Sequence, residues 1–168
     1  MKSHARILGH PIHQMLVPIP MGLFLVGSVL DIVQRFVDAP WIPALSFWNL
    51  TIGVVGALLA AGFGAVDLFA IPDGTRAKRI AGLHAIGNLV VVGAFVIALF
   101  MRWENRALAA PTLALGLEVF ALLLAGMTAW LGGELVDRLG VGVDDGADLD
   151  APSSLTHDSR DRPRLSAT

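Results

Sequence analysis

The sequence has no cysteine, which rules out a disulfide framework, a thiolate nucleophile and any Cys-ligated metal. Charge is scarce as well. Only 15% of the 168 residues are charged, and the net charge of -2 gives nucleic acid no basic surface to bind. Four long stretches are almost free of Lys and Arg. There is no GxSxG, so hydrolase chemistry has no starting point. Gly62-x-Gly64 and Gly140-x-Gly142 lack the context of a phosphate loop. The chain reads as not an enzyme by itself.

What remains is apolar. Hydrophobic residues make up 55% of the chain and mean hydropathy is +0.68, outside the range of soluble domains. Four runs, at about 12–33, 43–71, 80–101 and 111–136, approach the roughly 20 apolar residues that a bilayer core requires. Pro18 and Pro20 break the first run and no small-x-small cleavage site follows it, so it reads as a retained anchor, not a signal peptide. The joints between runs are short, and short joints force neighbouring helices antiparallel. The expected fold is all-α, an up-down four-helix integral membrane bundle over 1–143. Residues 144–168 are acidic, then polar and Ser-rich, and are expected to form a disordered tail that contains His157.

Four spans put both termini and the middle joint on one side. Lys2, Arg6, Arg76, Lys78, Arg79 and Arg138 lie there, against Arg35, Arg102 and Arg106 opposite. The positive-inside rule makes that side cytoplasmic, in a multi-pass protein of a bacterial inner membrane. Trp41, Trp48 and Trp103 then mark the outer interface and Trp130 the inner one.

Spacing at three- and four-residue steps picks out the inward faces. In the second span these are Ser46, Asn49, Gly53, Ala57, Ala60, Gly64 and Asp67. In the third they are His84, Gly87, Val91, Ala94 and Ala98, with Asn88 a turn above His84. The fourth offers Glu118, Leu122, Ala125, Ala129 and Gly132, and the first His13, Val17, Pro20, Phe24, Gly27 and Asp31. Such Gly/Ala faces let helices approach closely, within the chain, in a homo-oligomer or against another membrane protein.

His10, His13, Asp67, His84 and Glu134 all fall near the end that carries the termini. An ionisable group at membrane depth costs at least about 2.5 kcal/mol unless paired or hydrated, so these five are expected to converge. A faint internal symmetry supports convergence. Each hairpin opens with a histidine after glycine, Gly9-His10 and Gly82-Leu83-His84. Each closes with an acid after glycine, at Asp67 and Glu134.

The stretches GHPIHQMLVPIPMGL, GLHAIGNL and WLGGELVDRLGVGV resemble the bacterial four-helix membrane proteins catalogued as domain of unknown function 2231. The resemblance runs from Gly9 to Val143. It implies four membrane helices and no established reaction. Members typically carry an aromatic and often a histidine soon after GGELV, where this chain has Asp137 and Leu139.

Three chemistries compete with a plain account. In the first, His84 with His10 or His13 ligates a haem b, with Arg76, Lys78 and Arg79 for its propionates. In the second, His10, His13 and His84 with Asp67 or Glu134 hold a zinc, iron or manganese ion, with Pro11 as first helical residue and His10 as N-cap. The third is transport of a small ion or proton past Asp31 and Glu118. Against that third reading, Asp31 can pair with Arg35, and Glu118 with Asn49 or Arg102. The plain account makes the protein a scaffold or subunit in the lipid bilayer, with the histidines as structural caps.

Overall fold

A computed structural model describes residues 1–155. The expected tail falls on both sides of that limit. Residues 144–155 contain turns and no helix or strand, while 156–168, with His157, lie outside the described residues.

A small hairpin opens the chain, β1 (Arg6–Ile7) antiparallel to β2 (His10–Pro11), with Arg6 opposite Pro11 and Ile7 opposite His10. Leu8 and Gly9 turn it at φ +50 and +87. Helices α1 (Ile12–Leu16) and α2 (Pro18–Val33) follow as one interrupted span. Neither Pro18 nor Pro20 has an N–H, so the carbonyls of Gln14 and Leu16 lose their helical donors and the helix breaks at Val17. α3 (Ile42–Ala70), α4 (Arg76–Met101) and α5 (Thr112–Gly133) are continuous, and a π-helical turn (Glu134–Arg138) extends α5. The α4 helix begins a turn before its apolar run because the Thr75 hydroxyl accepts from Lys78 N and caps it there. At the other side of that joint the Lys78 ammonium donates to the carbonyls of Leu68 and Ile71, closing α3.

All four spans are long and apolar enough to cross a membrane. At most 28% of each span's apolar window is buried within the bundle. Most of the Leu, Val, Ile and Phe side chains therefore point outward, as in Leu58, Leu89, Phe100 and Leu123. Such a surface calls for hydrocarbon as its solvent.

The tightest pairings are α2 with α3 and α4 with α5, two hairpins laid side by side. Glycine permits the closeness. A Cβ on Gly27 would stand 2.6 Å from Leu50, one on Gly53 2.8 Å from Phe24, and one on Gly87 2.5 Å from Thr128. The expected inward faces of the first three spans hold, that of the first despite its prolines, with Pro20, Phe24, Gly27 and Asp31 buried. In α5 the seam runs through Ala114, Glu118, Ala121, Ala125 and Thr128. Ala129, expected inside, is exposed.

Candidate functional site

The two hairpins repeat one plan. Positions 71 apart in their first helices face each other along the bundle, in three layers: His13 with His84, Phe24 with Phe95, and Asp31 with Arg102. The phenyl rings stack with centroids 4.0 Å apart and planes 7° from parallel. The imidazoles sit 6.4 Å apart at 87°. Second helices correspond at 68 positions, Ala60 with Thr128 and Gly64 with Gly132.

That second correspondence explains how each imidazole is held. A helical side chain leans toward the N-terminus and shields the carbonyl one turn earlier. Glycine at 64 leaves the Ala60 carbonyl open, and His13 Nδ1 donates to it at 2.8 Å. Glycine at 132 does the same for Thr128, whose carbonyl accepts from His84 Nδ1 at 2.8 Å. A Cβ on Gly64 would lie 2.9 Å from His13, and one on Gly132 3.2 Å from His84. With Nδ1 protonated in both rings, each Nε2 carries a lone pair. The hairpins differ at that atom. His84 Nε2 accepts from the Asn88 side-chain amide at 3.0 Å, while Thr128 Oγ1 donates to Asn88 Oδ1 at 3.0 Å. The matching residue beside His13 is Val17.

The five expected partners share this end of the bundle but do not meet at one point. Only His13 and His84 come together. His10 is no helix cap: it belongs to β2, is exposed, and lies with its Nε2 3.3 Å from Ser154 Oγ. Pro11 takes the N-cap position at ψ 120, so the helix starts at Ile12, one residue later than expected. Asp67 accepts from Ser3 Oγ at 2.7 and 2.9 Å and from His4 N at 2.8 Å. Glu134 pairs with Arg76 at 2.5 Å. Among the described residues no three His, Cys, Asp or Glu are grouped to hold a metal ion.

A strap covers this end. The guanidinium of Arg6 grips Asp144 at 2.6 and 2.8 Å, Lys2 stands 3.6 Å from the same carboxylate, and Ser154 Oγ donates to Leu8 O at 3.0 Å. The hydrogen bond from Arg6 holds the Asp144 carboxyl below its ordinary range, and the carboxylate in turn raises Arg6.

The opposite end is charged and sealed. Arg102 is 1% exposed, Asp31 1% and Glu118 0%. Arg102 Nη1 donates to Asp31 and, at 3.3 Å, to Ser46 Oγ, and Nη2 donates to Pro43 O at 3.0 Å. Glu118 Oε1 lies 3.6 Å from Arg102 Nη1. The expected pairing of Asp31 with Arg35 is not made, because Arg35 turns to the Ala110 carbonyl. Nor does Asn49 serve Glu118: it donates to Leu45 O within its own helix. Of the two partners expected for Glu118, Arg102 is the one in place.

Neither a curated protein nor a solved structure matches the chain. A family model described as a predicted membrane protein, DUF2231, matches residues 9–145. The match takes in the strand before α1, all four spans and the first residues of the strap, and the chain belongs to that family.

Proposed function

We propose that this four-helix membrane protein holds one haem b between His13 and His84 and serves electron transfer. The observation that carries the reading is the matched tautomer: both imidazoles spend Nδ1 on a backbone carbonyl, which leaves Nε2 as the ligating nitrogen of each ring, held at His84 by the Asn88 amide. Ligating histidines are oriented in the same way by their other nitrogen. The two imidazoles stand with ring centres 6.4 Å apart, near enough that His13 and His84 would both serve one metal-centred group. A tetrapyrrole brings four nitrogens of its own and needs two from the protein. A bare ion needs a third donor, and His10, Asp67 and Glu134 are engaged elsewhere. Haem therefore fits this pair better than a lone transition metal.

When bound, such a group supplies one-electron exchange. The chain's part is to orient and insulate. Gly64 and Gly132 admit the rings to the carbonyls, and the apolar outer surface keeps water away. Ligation at His84 requires the Asn88 amide to turn from Nε2, with its bonds to the His84 carbonyl and Thr128 hydroxyl still available. In this reading the end with Arg76, Lys78, Arg79 and Arg138 faces the cytoplasm of a bacterial inner membrane.

A second reading is favoured by the Asn88 contact itself. With Nε2 of His84 already satisfied, the histidines act as staples inside a membrane scaffold or subunit. Purification from cells supplied with haem precursor separates the two. The haem reading expects a Soret band that disappears in both His13→Ala and His84→Ala. The scaffold reading expects colourless protein whose variants lose thermal stability alone.

A further inference from the structure

The sealed charges at the far end are independent of the histidine pair. Four helices meet there: Asp31 and Ser28 come from α2, Ser46 and Pro43 from α3, Arg102 from the C-cap of α4, and Glu118 from α5. Two carboxylates face one guanidinium, which leaves a formal charge of one electron inside the bundle. The exposed Arg35 is the other cation within reach, and its guanidinium is bound to the Ala110 carbonyl. A lone charge in a membrane interior is neutralised or paired in preference to being carried.

The hydrogen bonds show where the imbalance falls. Asp31 Oδ2 takes the guanidinium and the Ser46 hydroxyl, whereas Asp31 Oδ1, both oxygens of Glu118, Arg102 Nε and Ser28 Oγ have no partner. Glu118 is wholly buried and stands 3.6 Å from Nη1 without a hydrogen bond. A buried carboxylate left like this bears its full desolvation cost. A buried carboxylic acid does not carry that charge.

We propose that the Asp31–Arg102–Glu118 cluster is a proton-binding site, with the exchangeable proton on Glu118. Proton uptake adds H⁺ to a Glu118 oxygen and removes the net charge, and release restores it. The same guanidinium then has two arrangements. With Glu118 neutral, Arg102 belongs to Asp31, the arrangement seen here. With Glu118 ionised, Nη1 is shared between the two carboxylates. A metal cation in place of the proton would need about six oxygen ligands, beside a fixed guanidinium that repels it. The site is built for H⁺.

Infrared difference spectra of the full-length protein in lipid vesicles, recorded across a pH series, test this. A protonated-carboxyl C=O band is expected that shifts in ²H₂O, vanishes in Glu118→Gln, and ignores exchange of Na⁺ for K⁺ or choline. Should Glu118→Gln fail to fold, Asp31→Asn serves. It leaves one carboxylate for one guanidinium, so Arg102 turns to Glu118 and the band is again lost. A band that persists in either variant, or its absence from the wild type at every pH, overturns the proposal. A spectrum that responds to Na⁺ or K⁺ at fixed pH overturns it in favour of a metal cation.

Discussion

In α1–α3 the imidazole of His13 enters a notch made by Ala60 and Gly64, with Val17 beside it. In α4–α5 the imidazole of His84 enters the same notch, made by Thr128 and Gly132, with Asn88 where the first hairpin has Val17. One backbone device is thus used twice, and polar side chains have been added to one copy only. At the far end the copies are complementary. The first hairpin supplies Asp31 and Ser46, and the second supplies Arg102 and Glu118 in the places corresponding to Asp31 and Leu50. A repeated frame fixes where side chains meet along the axis, while the identity of each side chain decides whether a layer stacks, hydrogen-bonds or carries charge.

The largest expected effect comes from breaking the charged layer. Arg102→Gln leaves the Asp31 carboxylate buried without its cation, a loss of about 3–5 kcal/mol. It should appear as a steep drop in the thermal unfolding midpoint in detergent. Adding Asp31→Asn to Arg102→Gln should recover part of that loss. Equal midpoints for Arg102→Gln and wild type would show that the layer does not hold the hairpins together.

Filling the notches comes next and compares the two copies directly. Gly64→Ala places a methyl 2.9 Å from His13, Gly132→Ala one 3.2 Å from His84. Overpacking of this kind costs about 1–3 kcal/mol, and Gly64→Ala should be the more damaging. The reverse order in unfolding measurements would mean that the second notch is the tighter one.

Asn88→Val makes the second hairpin resemble the first. Loss of its hydrogen bonds should cost about 1 kcal/mol, yet it frees His84 Nε2. In the haem reading, titration with haem should give tighter binding to Asn88→Val than to wild type. Weaker binding would assign Asn88 to the site as a supporting residue.

The smallest effect belongs to the strap. Asp144 has its carboxyl lowered by Arg6, so its contribution is complete above the ordinary carboxylate range and fades as pH falls through the lowered value. Arg6 is raised, so its share persists until strongly alkaline pH. Both side chains are partly exposed, at 24% and 42%, and solvent screens the pair. Amide protection in 6–10, measured relative to intrinsic exchange at each pH, should fall modestly at acid pH in wild type, and Asp144→Asn should remove that change.

Much of this was legible in the sequence. Length and apolarity give the four spans, and three- and four-residue spacing gives the inward face of the first span through both prolines, because α1 and α2 keep one helical phase across the break. The histidine pair was only half legible. Depth places His10, His13, Asp67, His84 and Glu134 at one end, but depth does not fix rotation about the bundle axis. The strand at His10, Ser3 and Arg76 take three of the five away. Arg102 was the hardest position to place. It follows the last apolar residue of the third span and reads as an interfacial charge opposite the termini. Its long side chain folds back inside to meet Asp31, a contact that local pattern does not encode.

The central claim is that His13 and His84 share one ligand, and haem stoichiometry tests it most directly. Purified protein titrated with haem should saturate at one per chain with a low-spin bis-imidazole spectrum, and both His13→Ala and His84→Ala should lose that spectrum. Wild-type protein that takes up no haem, or whose spectrum survives loss of either histidine, would contradict the claim.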